Sequence, residues 1–303
     1  MARFGNAAKQ ADYIVNTATR FIKTRKKRPH SKGIKSAATK RNYRSPLKQA
    51  SAWLKQNGQF QGLDKMTYEL AESYLHTRKG KVRQKTLDMD RQALELLPLL
   101  NGKKLPIIKS QLPDGKLGKQ SRAYSAEQIA LIKSIQSEKF QLSTELSDAA
   151  GLRSFELLTI RPASDQPRTG NRPWSKKRFS GMSGSLYTVL GKGGLIREVM
   201  IPYHLSEKLE KHRRAKPIIK TNRKINYVSM YDIPSGQNWS QNFSQASQRY
   251  FGWSHGAHGL RHGFAQRRMN KLQSMGFSYN NALLIVSQEM GHFRPDITEI
   301  YLR

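Results

Sequence analysis

Apolar residues recur at the spacing of amphipathic helices through most of the chain. Near the start, one helical face would be formed by Ala11, Ile14, Val15, Ala18 and Ile22. Further on, Ala50, Trp53 and Leu54 repeat with the same spacing, and glycines at 58 and 80 stand where helices commonly stop. The pattern predicts three amphipathic helices in this region, at 45–57, 67–78 and 86–99. We therefore expect a small helical bundle.

The pattern changes after residue 100. Residues 101–120 contain NGKK and LPDGKLGK and have no apolar periodicity, which is typical of a linker. Ser125 and Gln128 then form a capping box that opens a new helix. A helix is predicted at 141–160, followed by a loop rich in Gly, Pro and Ser at 161–184. Two strands, 185–190 and 195–202, join at GKGG. Further helices are predicted at 206–216, 240–251, 258–275 and 279–290, and a short last helix, opened by Pro295, carries Tyr301.

These elements predict a mainly α fold with a small β-sheet, in the α+β class. A length of 303 residues is enough for two domains that each bury a core. The expected organisation is a basic N-terminal segment at 1–40, a helical domain at 41–100, a linker at 101–121 and a second domain at 122–303.

Charge narrows the possible partners. The chain has 54 Lys plus Arg against 21 Asp plus Glu, a formal net charge of +33. Such a chain repels itself unless a polyanion is its usual partner, so nucleic acid is the first candidate and a membrane surface the second. No apolar run approaches the roughly 20 residues of a spanning helix, and the absence of cysteine excludes disulfides and thiolate zinc sites. We expect a cytoplasmic, nucleoid-associated protein.

The candidate chemistry lies in five short motifs. In HGLRH, His258 and Arg261 are three positions apart, so a helix would place both on one face, where a single phosphate could be held. GLRSFELL places Arg153 three residues before Glu156, and LGKGG places Lys192 on a tight turn. The last two motifs are MGH, which ends at His292, and ITEIYLR, which supplies Tyr301 nine residues later. A tyrosine hydroxyl is a nucleophile suited to attack on a phosphate.

In this chain order, Arg, Lys, His, Arg, His and Tyr resemble the catalytic set of the tyrosine recombinases, the phage integrase family. The resemblance covers 122–303 well and 40–100 loosely. It implies that the helical domain is a core-binding domain, which clamps one side of a DNA duplex while the catalytic domain holds the other.

The resemblance also implies roles for the residues. Arg153 and Arg261 would hold the phosphate in place of metal cations, and Lys192 would protonate the leaving 5′ oxygen. His258 and His292 would hydrogen-bond the phosphate, and His258 is also the candidate base for the Tyr301 proton. Glu156 would orient Arg153, and His262 would pack beside the pocket. Attack by Tyr301 would leave a 3′-phosphotyrosine and a free 5′ hydroxyl, so no metal, ATP or other cofactor is expected.

Two other assignments are weaker. Zinc binding by His258 and His262 is disfavoured, because HGLRH lacks the glutamate of HExxH and no third ligand is evident. Tyr250 is the rival nucleophile should Tyr301 be inert. Further DNA contacts are predicted for basic side chains of the N-terminal third and of the 161–184 loop, namely Lys26, Lys27, Arg28, Arg41, Arg44, Lys176, Lys177 and Arg178. A solvated basic tail is the alternative for the N-terminal segment.

The expected function is site-specific recombination of double-stranded DNA by a homo-tetramer, through a Holliday junction and with possible accessory DNA-bending proteins. The basic N-terminal segment and the long loop favour a mobile-element or phage integrase. The alternatives are a type IB topoisomerase-like enzyme, a noncatalytic architectural DNA-binding protein, and RNA binding without chemistry. Members of this family continue past the nucleophile with a tail that docks on a neighbouring protomer, whereas this sequence ends at Arg303. The sequence therefore does not identify the segment that makes the protomer contacts.

Overall fold

The computed structural model describes residues 6–19, 34, 36–59, 61–113 and 121–303. Lys26, Lys27 and Arg28 lie outside the described residues. The chain divides into two compact units, Met1–Leu117 and Gly118–Arg303.

The first unit is built of helices around one apolar core. Its elements are α1 (Ala7–Thr17), α2 (Ala37–Gln56), α3 (Tyr68–Arg78) and α4 (Gln84–Leu94), with 3₁₀ turns at Leu63–Lys65 and Pro98–Leu100. Side chains of all four helices share the core, including Ile14, Leu47, Leu75 and Leu94. The three predicted helices are present with shifted ends.

The largest shift is at the start of α2, eight residues before the predicted position. Ser36 caps this helix by accepting a hydrogen bond from the Thr39 amide at 3.0 Å, and the helix continues through Pro46. The first two turns expose mostly polar and basic side chains, so they lack the apolar periodicity on which the prediction relied. The last predicted helix is shorter than expected, because α4 ends at Leu94 and Pro98 opens a separate 3₁₀ turn.

The second unit combines seven helices of the described chain with two antiparallel sheets. The helices are α5 (Ala126–Ser134), α6 (Glu138–Ala150), α7 (Tyr203–Glu210), α8 (Gly236–Phe251), α9 (Gly259–Ser274), α10 (Tyr279–Glu289) and α11 (Pro295–Glu299). One sheet has the order β1 (Arg161–Pro162), β2 (Ser185–Leu190) and β3 (Ile196–Ile201), and the other pairs β4 (Arg213–Asn222) with β5 (Ile225–Tyr231). The predicted fold class, mainly α with a small sheet, is confirmed.

Two apolar clusters hold this unit together. The larger cluster packs Leu146 of α6 against Val189 of β2 and Trp239 of α8. The smaller cluster packs Met269 of α9 against Val286 of α10. The capping box at the start of α5 is confirmed, since the Ser125 side chain accepts from the Gln128 amide and the Gln128 side chain accepts from the Ser125 amide.

Three predicted elements are wrong in ways that affect the site. The helix predicted at 141–160 ends at Ala150, because Gly151 adopts a left-handed conformation (φ 57°) as its C-cap. Arg153 therefore lies in the turn after α6. The helix predicted at 206–216 ends at Glu210, and the chain then enters the β4–β5 hairpin, which was not predicted. The last helix ends at Glu299, so Tyr301 lies in the turn that follows it.

Among the described residues, no helix combines the length and the apolar composition that crossing a bilayer demands.

Candidate active site

Arg261 is the centre of the candidate site. It lies in the first turn of α9 and its side chain is fully buried. The guanidinium donates to the carbonyls of Gly151 and Met290, the latter at 3.1 Å. These two residues are the C-caps of α6 and α10, so Arg261 satisfies carbonyls that a helix end leaves without partners and meets the negative end of two helix dipoles. Burial and then the charge of Arg153 lower the Arg261 pKa to about 9, which leaves it a cation at neutral pH.

Glu156 joins the arginines of the site. This fully buried carboxylate accepts hydrogen bonds from the Arg153 amide at 2.8 Å and from Arg153 Nη1 at 2.7 Å. It also accepts from Arg197 Nη2 at 2.8 Å and lies 4.0 Å from Arg261 Nη1. Burial alone would raise the Glu156 pKa, but the charges of Arg197, Arg153 and Arg261 outweigh burial and lower the pKa to about 2. The carboxylate therefore fixes three guanidinium groups.

Arg197 is a site residue that the sequence analysis missed. It lies on β3 with 1% of its surface exposed and donates to the carbonyl of Glu289 at 2.5 Å and to that of Gly151 at 3.3 Å. Arg197, Val199 and Ile201 are alternate residues of β3, and both Val199 and Ile201 are buried. Because alternate residues of a strand face the same side, this alternation could have predicted that Arg197 is buried. A basic residue on an apolar face needs a buried partner, and Glu156 provides it.

Tyr301 lies among three histidine rings and a guanidinium. Its ring centroid is 5.3 Å from that of His258, 4.7 Å from that of His262 and 5.1 Å from that of His292. The Arg261 guanidinium carbon lies 5.7 Å from the Tyr301 ring centroid. The hydroxyl lies 3.0 Å from His258 Nε2. This is hydrogen-bond distance between a nucleophile and a base.

The contacts of His292 determine which of its nitrogens carries the proton. Nε2 lies 3.2 Å from Arg261 Nη2, and a guanidinium only donates, so Nε2 is the acceptor. Nδ1 then carries the proton and donates to the Thr298 hydroxyl at 2.9 Å. Burial and then the Arg261 charge lower the His292 pKa to about 3, in agreement with a neutral ring.

His258 and His262 are neutral for the same physical reasons. The His258 side chain is exposed at the rim of the pocket, yet partial desolvation followed by the charge of Arg261 lowers its pKa to about 4. For His262, burial and then the charge of Arg122 lower the pKa to about 4. His262 Nδ1 is buried and has no hydrogen-bond partner within the described part of the chain. At neutral pH, therefore, His258 Nε2 is free to accept the proton of the Tyr301 hydroxyl.

Lys192 lies on the turn that joins β2 to β3, and it is exposed. The turn begins against the ion pair of the pocket. A β-carbon at Gly191 would lie 3.4 Å from Glu156 Oε1 and 4.0 Å from Arg153 Nη1. The structure thus brings Arg153, Glu156, His258, Arg261, His262, His292 and Tyr301 together and places the Lys192 turn beside them.

The loop at 163–184 is tied to the residues that precede His292. Gln288 accepts a hydrogen bond from the Ser175 amide at 2.6 Å, and Glu289 accepts one from the Phe179 amide at 2.8 Å. Glu289 also forms a buried ion pair with Arg268 at 2.8 Å. The loop is therefore anchored by buried polar groups.

The remaining predicted DNA contacts divide into exposed and paired side chains. Lys176 and Lys177 of this loop are exposed, as is Arg41 on α2. Arg44 is half exposed but forms an ion pair with Asp12, with Arg44 Nη2 2.9 Å from Asp12 Oδ2.

Arg178 differs from the expectation, and Tyr250 is not among the described ring contacts of Tyr301. The Arg178 side chain is 7% exposed, donates to Glu198 at 2.6 Å and lies over the Trp174 ring at 4.5 Å. It holds the loop together and does not face an open surface. Tyr250 is exposed on α8, and its described ring contact is with Phe251.

No protein-family profile matches the chain, and no curated protein matches it. Several solved structures do match the chain. The XerH site-specific recombinase bound to difH substrate in a pre-cleavage complex is 16% identical, with a TM-score of 0.56 over 98% of this chain and 92% of that chain. A lambda integrase dimer bound to a COC′ core site is 15% identical, with a TM-score of 0.55 over 98% of this chain and 76% of that chain. The Tn1549 transposon integrase in complex with circular intermediate DNA is 13% identical, with a TM-score of 0.50 over 99% of this chain and 96% of that chain. This chain therefore has the fold of the tyrosine recombinases and integrases.

Proposed function

We propose that the protein is a site-specific DNA recombinase of the integrase type, which cleaves and rejoins strands through a 3′-phosphotyrosine and a Holliday junction. The observation that carries this proposal is the Tyr301 hydroxyl, held 3.0 Å from a neutral His258 nitrogen beside the buried Arg261. The shared fold supports it, since the three recombinases and integrases reported above are complexes with DNA.

The charge of the pocket supports a phosphate substrate. Arg153, Arg197 and Arg261 surround the single carboxylate of Glu156, while Glu289 pairs with Arg268. The positive charge in excess of Glu156 contributes to the lowered pKa values of His258 and His292. A phosphodiester would offset this charge, and Arg153 and Arg261 offer the forked donors that match two phosphate oxygens.

The reaction follows from these groups. His258 Nε2 takes the proton of the Tyr301 hydroxyl, and the phenolic oxygen attacks the phosphorus. The bond to the 5′ oxygen breaks, and Lys192 gives that oxygen a proton. Arg153 and Arg261 hold the nonbridging oxygens as their charge grows in the transition state. The bond energy is kept in the phosphotyrosine, so a 5′ hydroxyl from another strand can reseal the DNA without ATP or a metal.

A phosphate in the pocket would also change the role of His292. In the free protein its Nε2 accepts from Arg261. A bound anion favours the protonated imidazole, which can donate to a phosphate oxygen from the same nitrogen. His292 thus becomes a phosphate ligand only when substrate is present.

The assembly belongs to the same proposal. The helical unit acts as the core-binding domain on double-stranded DNA, and four protomers carry out sequential exchange, with accessory DNA-bending proteins where the site requires them. Because its substrate would be DNA, the protein would act in the cytoplasm, at the nucleoid.

Trapping of the covalent intermediate tests the proposal. The protein is incubated with a pool of nicked duplexes of random sequence, in which cleavage near the nick releases a short fragment and prevents resealing. We expect an adduct that survives denaturation and whose DNA, once sequenced, identifies the site. Tyr301→Phe should form none, while the matched control Tyr250→Phe should form it normally.

Other outcomes separate the alternatives. An adduct accompanied by relaxation of supercoiled plasmid, without joining of two duplexes that carry the trapped site, would indicate a topoisomerase-like enzyme. Tight DNA binding with no adduct from the wild-type protein would indicate an architectural protein and would contradict the proposal.

A further inference from the structure

The β4–β5 hairpin is an exposed arm that the reaction proposed above does not use. Its strands pair Ile219 with Val228 and Asn222 with Ile225, so the turn consists of two residues, Arg223 and Lys224. Both have positive φ, 51° and 66°. Two-residue turns of this kind favour Asn-Gly, because bulky L side chains are disfavoured in the left-handed region. Two long cations occupy the turn despite this preference, and such an outlier is grounds for inferring a function.

The arm carries positive charges that no acidic residue of its own sequence neutralises. Residues 213–231 contain no Asp or Glu and six cations, Arg213, Arg214, Lys216, Lys220, Arg223 and Lys224. Three of them are tied to the protein body. Arg213 pairs with Asp165 at 3.0 Å, Arg214 pairs with Asp232, and Lys220 donates to the Ile233 carbonyl at 3.3 Å.

The other three cations, Lys216, Arg223 and Lys224, are exposed, and none has an ion pair with another described residue. The arm therefore presents three solvated positive charges, two of them adjacent at its tip. A polyanion is the partner that this arrangement fits.

The part of the arm next to its turn rests on the edge of the candidate active site. Tyr227 of β5 packs against Phe155, with ring centroids 6.3 Å apart. Phe155 lies in the turn between Arg153 and Glu156. Asn222 accepts a hydrogen bond from the Gln237 amide at 3.1 Å, so the end of β4 is fixed to the start of α8. The arm is thus anchored beside the residues that would hold the cleaved phosphate.

We propose that the β4–β5 hairpin is a DNA-binding arm, in which Arg223 and Lys224 at the tip, supported by Lys216, contact backbone phosphates of the duplex outside the cleaved phosphodiester. This inference rests on the proposed function in one respect, that duplex DNA is the substrate. The contacts are electrostatic and independent of sequence, because they reach phosphates and not base edges.

The test uses a variant that removes the charges and improves the turn. Arg223→Asn combined with Lys224→Gly in the full chain creates the Asn-Gly turn that this geometry favours, so the hairpin should form at least as well as before. We expect the thermal midpoint to stay the same or rise. The slope of log K against log salt, measured with a labelled long duplex of mixed sequence, should fall in magnitude by about 2, and affinity near 0.15 M salt should drop roughly thirtyfold.

A charge-preserving variant is the matched control. Arg223→Lys combined with Lys224→Arg keeps both cations, and it should bind DNA with the wild-type slope. Equal affinity and an equal salt slope for wild type and the Asn-Gly variant would overturn the proposal. The exposed Ile219 and Val228 would then mark the arm as a surface for another protein.

The covalent adduct distinguishes failure of the arm from failure of the proposed function. The Asn-Gly variant retains every residue of the pocket, so at saturating protein it should form the Tyr301 adduct on the trapped site. If wild type forms no adduct but the salt slope still depends on the residues at the tip, the proposed recombinase activity is refuted and the proposed DNA binding by the arm is supported. If both proteins form the adduct and their salt slopes do not differ, only the proposed DNA binding by the arm is refuted.

Discussion

Glu156→Gln tests whether one buried carboxylate holds the arginine cluster together. The substitution keeps the shape of the side chain but removes the negative charge that contacts Arg153 and Arg197 and lies 4.0 Å from Arg261. It also directs an amide N–H₂ group towards guanidinium donors. Three cations would then share a buried space without a counterion at that position.

The magnitude follows from the lowered pKa. Glu156 has no exposed surface, and its pKa falls from an ordinary 4.5 to about 2. That difference corresponds to about 3 kcal/mol of stability at neutral pH. Breaking a buried ion pair by removing one partner costs about 3–5 kcal/mol, which agrees. For a unit of this size we expect the thermal midpoint to fall by roughly 6–12 °C.

Chemical and thermal unfolding of the full chain measure the effect, with Glu207→Gln as the control, because Glu207 is an exposed carboxylate on α7. The sign of the pH dependence is a second test. A lowered folded pKa contributes stability that is complete above about pH 4.5 and lost as the pH falls towards 2. The difference between wild type and Glu156→Gln should therefore be constant above about pH 5 and shrink below it. A loss of less than about 1 kcal/mol, or a difference unchanged by acid, would refute the reasoning.

Two further predictions concern the backbone and the histidines. Gly151→Ala should destabilise the protein by about 2–4 kcal/mol and abolish adduct formation, because the new β-carbon would lie 2.5 Å from the Phe264 ring and displace the carbonyl that holds Arg261. Gly276→Ala, with the same sign of φ but no neighbour within 4 Å, should cost only the backbone strain and leave adduct formation intact; equal losses for the two would contradict the steric argument. Wild-type stability should also decrease as the pH falls from about 6.5 to about 4, because the folded state keeps His292 neutral, with a pKa of about 3, while an unfolded histidine takes up a proton. Urea midpoints should show a shallower dependence in His292→Asn, and an unchanged profile would contradict the neutral ring.

Several features were predictable from sequence because their causes are local. The capping box of α5 needs only Ser125 and Gln128 at the correct spacing. The strands β2 and β3 follow from apolar runs that flank a glycine turn. The α+β fold class follows from the succession of these patterns along the chain. The six residues named for the site likewise occur in short motifs that can be recognised one at a time.

Other features depended on groups that are distant in sequence. The end of α6 is set by a left-handed Gly151 packed against Phe264, which lies more than a hundred residues later. The β4–β5 hairpin has no Gly in its turn, and its basic strands lack regular alternation. Its first residues, 213–216, were therefore assigned to the preceding helix, and 217–231 were assigned to no element. Arg178 looked like a free cation until Glu198 and Trp174 were placed beside it.

The sequence by itself determined which chemical groups the protein has and where most helices begin, since propensity, capping and periodicity act over a few residues. Only the tertiary structure decided that Arg197 is buried against Glu156, and that Tyr301 meets His258 across 43 residues of chain. It also produced the lowered pKa values of the histidines. The physical reason is that burial and Coulomb interactions depend on distances in space, which packing sets between residues far apart in the chain.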